Sequence, residues 1–309
     1  MKKRTIWKNI ILIISVWVIV IVATLAWFVF GTTAQTSDMS MSVGEAGFVE
    51  ISGDGGGSWS DGLDIEFSVN KYLKEMSGDG TKLYSPVYDV IEKPDGGFGP
   101  AIIAYEEVQD NTNYYEQIYD LRSDADYDLY LDPASCVKAL SNEEDVNIIG
   151  AIRVAFYELD DDANETLKYI WAPNSMIEYS PESDSFNKEG QVESHYYYQK
   201  TLTPVDMSTV TAGDPNMAKI PVSTNHDPQA CGACGYSATH KFMWSCGNDL
   251  PADAPALLNF RLNGQSMSEK RLKIKVWLEG TDRECVSQIS GERFTMYFQF
   301  KAVKENNNE

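Results

Sequence analysis

Basic residues are scarce in this chain. Its 309 residues carry 25 Lys and Arg against 46 Asp and Glu, a formal charge of −21. Phosphate recognition draws on clustered Lys and Arg, so nucleic acid is excluded as a partner, and an anionic membrane face would repel the same surface. Histidine is scarcer still, with 3 in the chain. No HExxH occurs, so zincin chemistry is not expected. The acidic loops lack the spacing of an EF-hand. Helical periodicity is rare beyond residue 30, and neither a second hydrophobic span nor a carboxy-terminal sorting signal is read. No catalytic or cofactor-binding residues are assigned, and a non-catalytic protein is the expectation.

Charge is missing altogether from Ile10 to Phe30 (IILIISVWVIVIVATLAWFVF). A helix rises ~1.5 Å per residue and a bilayer core is ~30 Å thick, so such a run is long enough to span. Lys2, Lys3, Arg4 and Lys8 precede it, and the first acidic residue is Asp38. That asymmetry predicts a single-pass protein with a cytoplasmic tail over 1–9, a membrane span over 10–30 and the remainder extracellular. Small residues offer two cleavage points, after Ala26 and after Ala34, and cleavage would give a secreted or matrix product. The expected organisation continues with a polar extended linker over 31–47 and an ectodomain over 48–309.

The ectodomain reads as all-β. Phe48–Ile51, Tyr115–Leu121 and Tyr127–Leu131 are strand-like, and Ile148–Leu159 turns through Asp160–Glu165 into Leu167–Ala172 as a hairpin with a charged tip. The two closing segments show the cleanest period of two. In Lys270–Glu279 it places Leu272, Ile274, Val276 and Leu278 on one face and Arg271, Lys273 and Lys275 on the other. Arg293–Val303 places Phe294, Met296, Phe298 and Phe300 inward. Such alternation predicts one buried and one wet face on each strand, as in an antiparallel sandwich. Residues 174–255 lack periodic apolar positions and are read as a loop-rich excursion.

Three of the 5 cysteines lie in that excursion. Cys231, Cys234, His240 and Cys246 form C-x2-C-x5-H-x5-C, four soft ligands suited to tetrahedral zinc. The pattern resembles the zinc knuckle of nucleocapsid-type proteins, with each of the two later spacings one residue longer. An exported chain meets oxidising conditions, so a disulfide is the preferred reading; structural zinc and reduced buried thiols stand beside it. Asp54, Asp61 and Asp64, around the glycines of 52–62, and the run Asp160–Asp162 raise calcium as a question, with solvated turns as the plainer answer. Trp59, Tyr196, Tyr197 and Trp244 are candidates for sugar contacts.

The end of the apolar run, Ala23–Phe28 (ATLAWF), and the closing strands around Lys273–Glu279 and Phe294–Phe300 resemble the TasA and camelysin group of exported β-sandwich proteins. Ala26, Trp27 and Phe28 match that group's small residue and aromatic pair, near which a dedicated signal peptidase cuts. The resemblance implies a jelly-roll-like sandwich that joins extracellular fibres or a biofilm matrix by donating strands between subunits. It carries no protease residues here. The functional expectation is a structural or surface-assembly component that assembles with itself or with other surface or matrix proteins. The alternative is a membrane-anchored module for glycans or adhesion.

Overall fold

The computed structural model describes residues 33–44, 49–78, 80–92, 97–140, 148–173, 198–199, 217–218, 234–238, 241–244, 250–280, 285 and 290–304. Among these residues the chain is mostly strand, with almost no helix. In order they are β1 (Thr33–Gly44), β2 (Val49–Ser52), β3 (Gly62–Gly78), β4 (Leu83–Glu92), β5 (Phe98–Glu107), β6 (Tyr115–Ser123), β7 (Tyr127–Leu131) and β8 (Cys136–Ala139). A single helical turn, α1 (Ile148–Ala151), leads into β9 (Ile152–Leu159) and β10 (Glu165–Ala172). Then come β11 (Tyr198–Gln199), β12 (Met217–Ala218), β13 (Gly235–Ser237), β14 (Phe242–Trp244), β15 (Leu258–Phe260), β16 (Ser268–Glu279) and β17 (Glu292–Lys304). Among the described residues no helix is long and apolar enough to cross a membrane. The segment 10–30, on which the membrane span rests, lies outside them.

Apart from the small β11–β12 ladder, the strands form one large mixed sheet with two series of neighbours. One series runs β3–β1–β17–β7–β15, with β8 also on β17; the other runs β13–β14–β10–β9–β16–β6–β2. β3 belongs to both. Its early residues pair antiparallel with β1, while Glu75 and Met76 pair with Leu278 and Glu279 of β16 in parallel. Residues 88–101 of the β4–β5 hairpin fall outside the compact unit formed by the other described strands.

The period of two explains which residues meet. Phe294, Met296, Phe298 and Phe300 of β17 share one buried cluster with Leu272, Ile274, Val276 and Leu278 of β16 and with Ile152, Val154 and Phe156 of β9. Alternate side chains of a strand point to one face, so each set enters the core together. Edge-to-face rings join the two series, with Phe298 5.8 Å from Phe156 and 6.2 Å from Trp171, centroid to centroid. Fully burying one such side chain contributes roughly 1.5–3 kcal/mol.

Two expectations require correction. The stretch expected as a linker over 31–47 contains β1, which is extended but lies inside the sheet. It pairs parallel to β17 from Ala34↔Glu292 to Gly44↔Lys301 and antiparallel to β3 from Thr33↔Lys74 to Ser42↔Gly62. Polar Ser and Thr alternate with the buried Met39 and Met41, a faint core pattern that composition alone disguised. The second correction concerns β16, whose supposedly wet face is covered. Trp277 is buried there in a second apolar cluster with Tyr157, Ile170, Phe242 and Trp244, and Lys273 and Lys275 are themselves buried.

Candidate functional site

The covered face of β16 holds the densest charge arrangement among the described residues. Lys273 and Lys275 are two apart, so they share a face. The ladder sets Glu116 of β6 directly opposite Lys275, and on the other edge Tyr157 of β9 stands opposite Lys273. Glu165, the first residue of β10, completes the group. Lys273 Nζ lies 2.6 Å from Glu165 Oε1 and 3.0 Å from Glu116 Oε1. Lys275 Nζ lies 3.5 Å from Glu116 Oε2 and 3.6 Å from Glu165 Oε2. Each carboxylate thus bridges both ammonium groups. Lys275 also sits over the Tyr157 ring at 4.8 Å from its centroid.

Titration behaviour follows from this lattice. Burial alone would push the Glu165 carboxyl up, but the hydrogen bond from Lys273 and the charges of Lys275 and Lys273 outweigh it and hold the group below its ordinary value. Burial likewise pulls Lys273 down, and its bonds to Glu165 and Glu116 more than restore it, leaving it above 10.5. The Tyr114 phenol, 3.4 Å from Glu116 Oε2, is pushed up to about 12 by burial and then by that carboxylate. Two cations against two anions leave no net field to attract a ligand. A lysine held protonated is also a poor nucleophile. The arrangement clamps β6, β16 and β10 together and supplies no reactive group.

Sequence reasoning missed this cluster because Glu116 and Glu165 lie far from Lys273 along the chain. The only signal was the K-x-K period itself. A second polar group lies farther along the same strand. Glu279, fully buried, accepts hydrogen bonds from Trp277 Nε1 at 3.1 Å and from Ser77 Oγ. Nearby on the ladder, Arg153 is paired with Trp277 through the backbone and gives its Nη1 protons to the carbonyls of Gly150 at 2.6 Å and Ile152 at 3.0 Å.

The expected site residues fare differently. Of Cys231, Cys234, His240 and Cys246, only Cys234 lies among the described residues; the other three lie outside them, so the zinc and disulfide readings both stand as expectations. Cys234 is half-buried immediately before β13, where Gly235 pairs with Trp244. A Cβ on Gly235 would collide with the Trp244 indole, so a glycine is required there. That indole is buried in the second apolar cluster, which removes Trp244 as an exposed sugar platform. Tyr196 and Tyr197 lie outside the described residues. Trp59 is half-buried with the Arg122 guanidinium 4.3 Å from its ring centroid, and Arg122 is itself bonded to Glu50 at 2.7 Å.

The acidic turns are internally closed. Asp54 Oδ1 accepts from Ser52 Oγ at 2.6 Å and from the Ser58 amide at 2.9 Å, while Oδ2 accepts from Ser58 Oγ at 2.8 Å. Those bonds, Ser52's first, hold the Asp54 carboxyl far below its ordinary range. Asp160 accepts from the Asn164 amide and side chain at 2.7 and 2.8 Å, closing the β9–β10 hairpin that the sequence predicted. Among the described residues no group of three or more His, Cys, Asp or Glu is gathered for a metal ion.

Of the two cleavage points, Ala26 lies outside the described residues. Ala34 is buried in β1 between Leu73 and Glu292, so a cut after it has to precede the folding of β1. No family model, curated protein or solved structure matches this chain.

Proposed function

We propose that this chain is a non-catalytic cell-surface protein: a β-sandwich held at the membrane by the apolar segment 10–30, with a cytoplasmic N-terminus, that acts as a structural or assembly component of the surface or matrix. One observation carries the reading. The uncharged run ends at Phe30, and β1 begins at Thr33 in the middle of a sheet, bonded to β17 on one edge and β3 on the other. A pull on such a tether loads two ladders in shear, so their hydrogen bonds resist together. Strands joined in that way suit a load-bearing surface element better than a loosely stalked module. The ring contacts of Phe298 with Phe156 and Trp171 support the sandwich reading, because they link β17 of one strand series with β9 and β10 of the other.

N-terminal sequencing of the native protein, with electron microscopy of the purified full chain, tests the proposal. An intact Met1 in the membrane fraction together with ordered filaments or arrays is the expected result. A monodisperse chain that binds a glycan array would overturn it in favour of the ligand-binding alternative.

A further inference from the structure

Asn164-Glu165-Thr166 is the chain's sole Asn-x-Ser/Thr sequence. Such a triplet serves as an acceptor for an N-linked glycan where it lies on an exposed segment of an exported chain. The fold supplies the exposure. Asn164 ends the turn of the β9–β10 hairpin, and every residue from Asp160 to Thr166 is exposed. On its outer edge β10 meets β14 only from Ile170 to Ala172, so among the described residues no strand lies alongside Glu165 or Thr166 there.

Local contacts keep the triplet presented. The Asp160 amide donates to the Asn164 carbonyl at 3.1 Å and the Ala163 amide to the Asp160 carbonyl at 3.0 Å, which closes the turn through its backbone. Glu165 turns to Lys273 at 2.6 Å on the charged face of β16, and alternation therefore sets Thr166 on the opposite face of its strand. Asn164 Nδ2 donates to Asp160 Oδ2 at 2.8 Å. A carboxamide nitrogen carries two protons, and this bond engages one of them. Replacing the other by a sugar leaves a secondary amide that still donates to Asp160. The folded turn thus accommodates the product as well as the acceptor.

Resting on the extracellular reading above, we propose that Asn164 is an N-glycosylation site. The donor class is an oligosaccharide joined through its anomeric carbon to a polyprenyl phosphate. In the transfer Nδ2 bonds to that carbon, the bond from the carbon to the phosphate oxygen breaks, and the lipid phosphate leaves with the electron pair. The second Nδ2 proton passes to a base of the transferase, so no oxidant or reductant takes part. The Thr166 hydroxyl is the handle by which the triplet is recognised. Asp161 and Asp162, exposed beside it, give the tip a negative field that suits a basic acceptor groove.

The test is mass spectrometry of the tryptic peptide 154–168 from the full chain, isolated from the cells that make it. Asn164 is the only asparagine in that peptide. A mass gain of whole hexose or N-acetylhexosamine residues is expected, lost in Asn164→Gln and in Thr166→Ala and kept in Thr166→Ser. A gain that survives Asn164→Gln or Thr166→Ala would overturn the assignment, and so would an unmodified peptide from the unaltered chain. A parallel sample of intact cells, treated with a membrane-impermeant amine reagent, separates the two readings through the exposed Lys301. An unmodified peptide with Lys301 labelled ends the glycan and leaves the extracellular domain standing; an unmodified peptide with Lys301 unlabelled ends both.

Discussion

The two closing strands, β16 and β17, carry the same written pattern and meet different fates. Both alternate apolar with polar residues, and both send four apolar side chains into one core. On its other face β17 keeps half-exposed Thr295, Tyr297 and Gln299 and an exposed Lys301, as an alternating strand should. On β16 that face is buried from Lys273 to Glu279. The difference lies in the neighbours. β16 is flanked by β6 and β9, which bring Glu116 and, through β10, Glu165 to Lys273 and Lys275, while Trp277 is covered by a separate apolar cluster. Alternation thus names the side that faces the core and is silent about whether the other side is covered.

The comparison breaks most severely at the shared core. Phe298→Ala should destabilise the fold by about 3–5 kcal/mol in urea unfolding, since it empties the space between Phe156 and Trp171. A loss below about 1 kcal/mol would mean that the two strand series do not depend on each other.

Next comes the charged face of β16. Glu116→Ala leaves two lysines sharing one carboxylate, and the partial exposure of Glu116 and Glu165 reduces the full buried-charge penalty to about 1–3 kcal/mol. Adding Lys275→Met to that variant should recover part of the loss. If the single variant is neutral, the lattice is decoration.

Titration sharpens the same contrast with a smaller effect. Glu165 lies below its ordinary 4.5 despite burial, through Lys273 and Lys275, and Glu158 does so through Lys270 and Lys168. Their stabilisation is complete above 4.5 and is lost as pH falls through the depressed folded values. Lys273 has the opposite sign: its share is complete below 10.5 and disappears as pH rises beyond it. The urea midpoint should therefore form a plateau with an acid and an alkaline limb, and Lys273→Met should shrink both. Unchanged limbs in that variant would assign the pH dependence to other groups.

The smallest effect belongs to the wet face of β17. Lys301→Ala should change stability by no more than about 0.5 kcal/mol, measured by the same unfolding curves. A larger loss would show that this face too is covered.

Much of the fold was legible. The β9–β10 hairpin announced itself through a charged tip between two apolar runs, and the inward residues of β16 and β17 followed from period two alone. Tyr115–Leu121 and Tyr127–Leu131 were also readable as strands. Their pairing was not: β6 joins β16 while β7 joins β17, because the three residues between them, Asp124–Asp126, carry the chain from one strand series to the other rather than folding it into a hairpin. The charged site was less legible, since its four members come from three separate stretches of sequence. Trp244 misled for a related reason. An aromatic residue beside glycines and cysteines reads as a loop tip, yet β14 lies parallel to β10 and buries it.

What the sequence determined by itself is local: an uncharged run of membrane-spanning length, an acidic remainder, and strands whose inward residues follow from the two-residue repeat of an extended chain. Tertiary structure decided the non-local facts: that β1 enters the sheet between β3 and β17, and that two lysines of β16 are buried. The physical reason is that alternation is a property of one strand, whereas burial and charge compensation depend on which distant strand lies alongside.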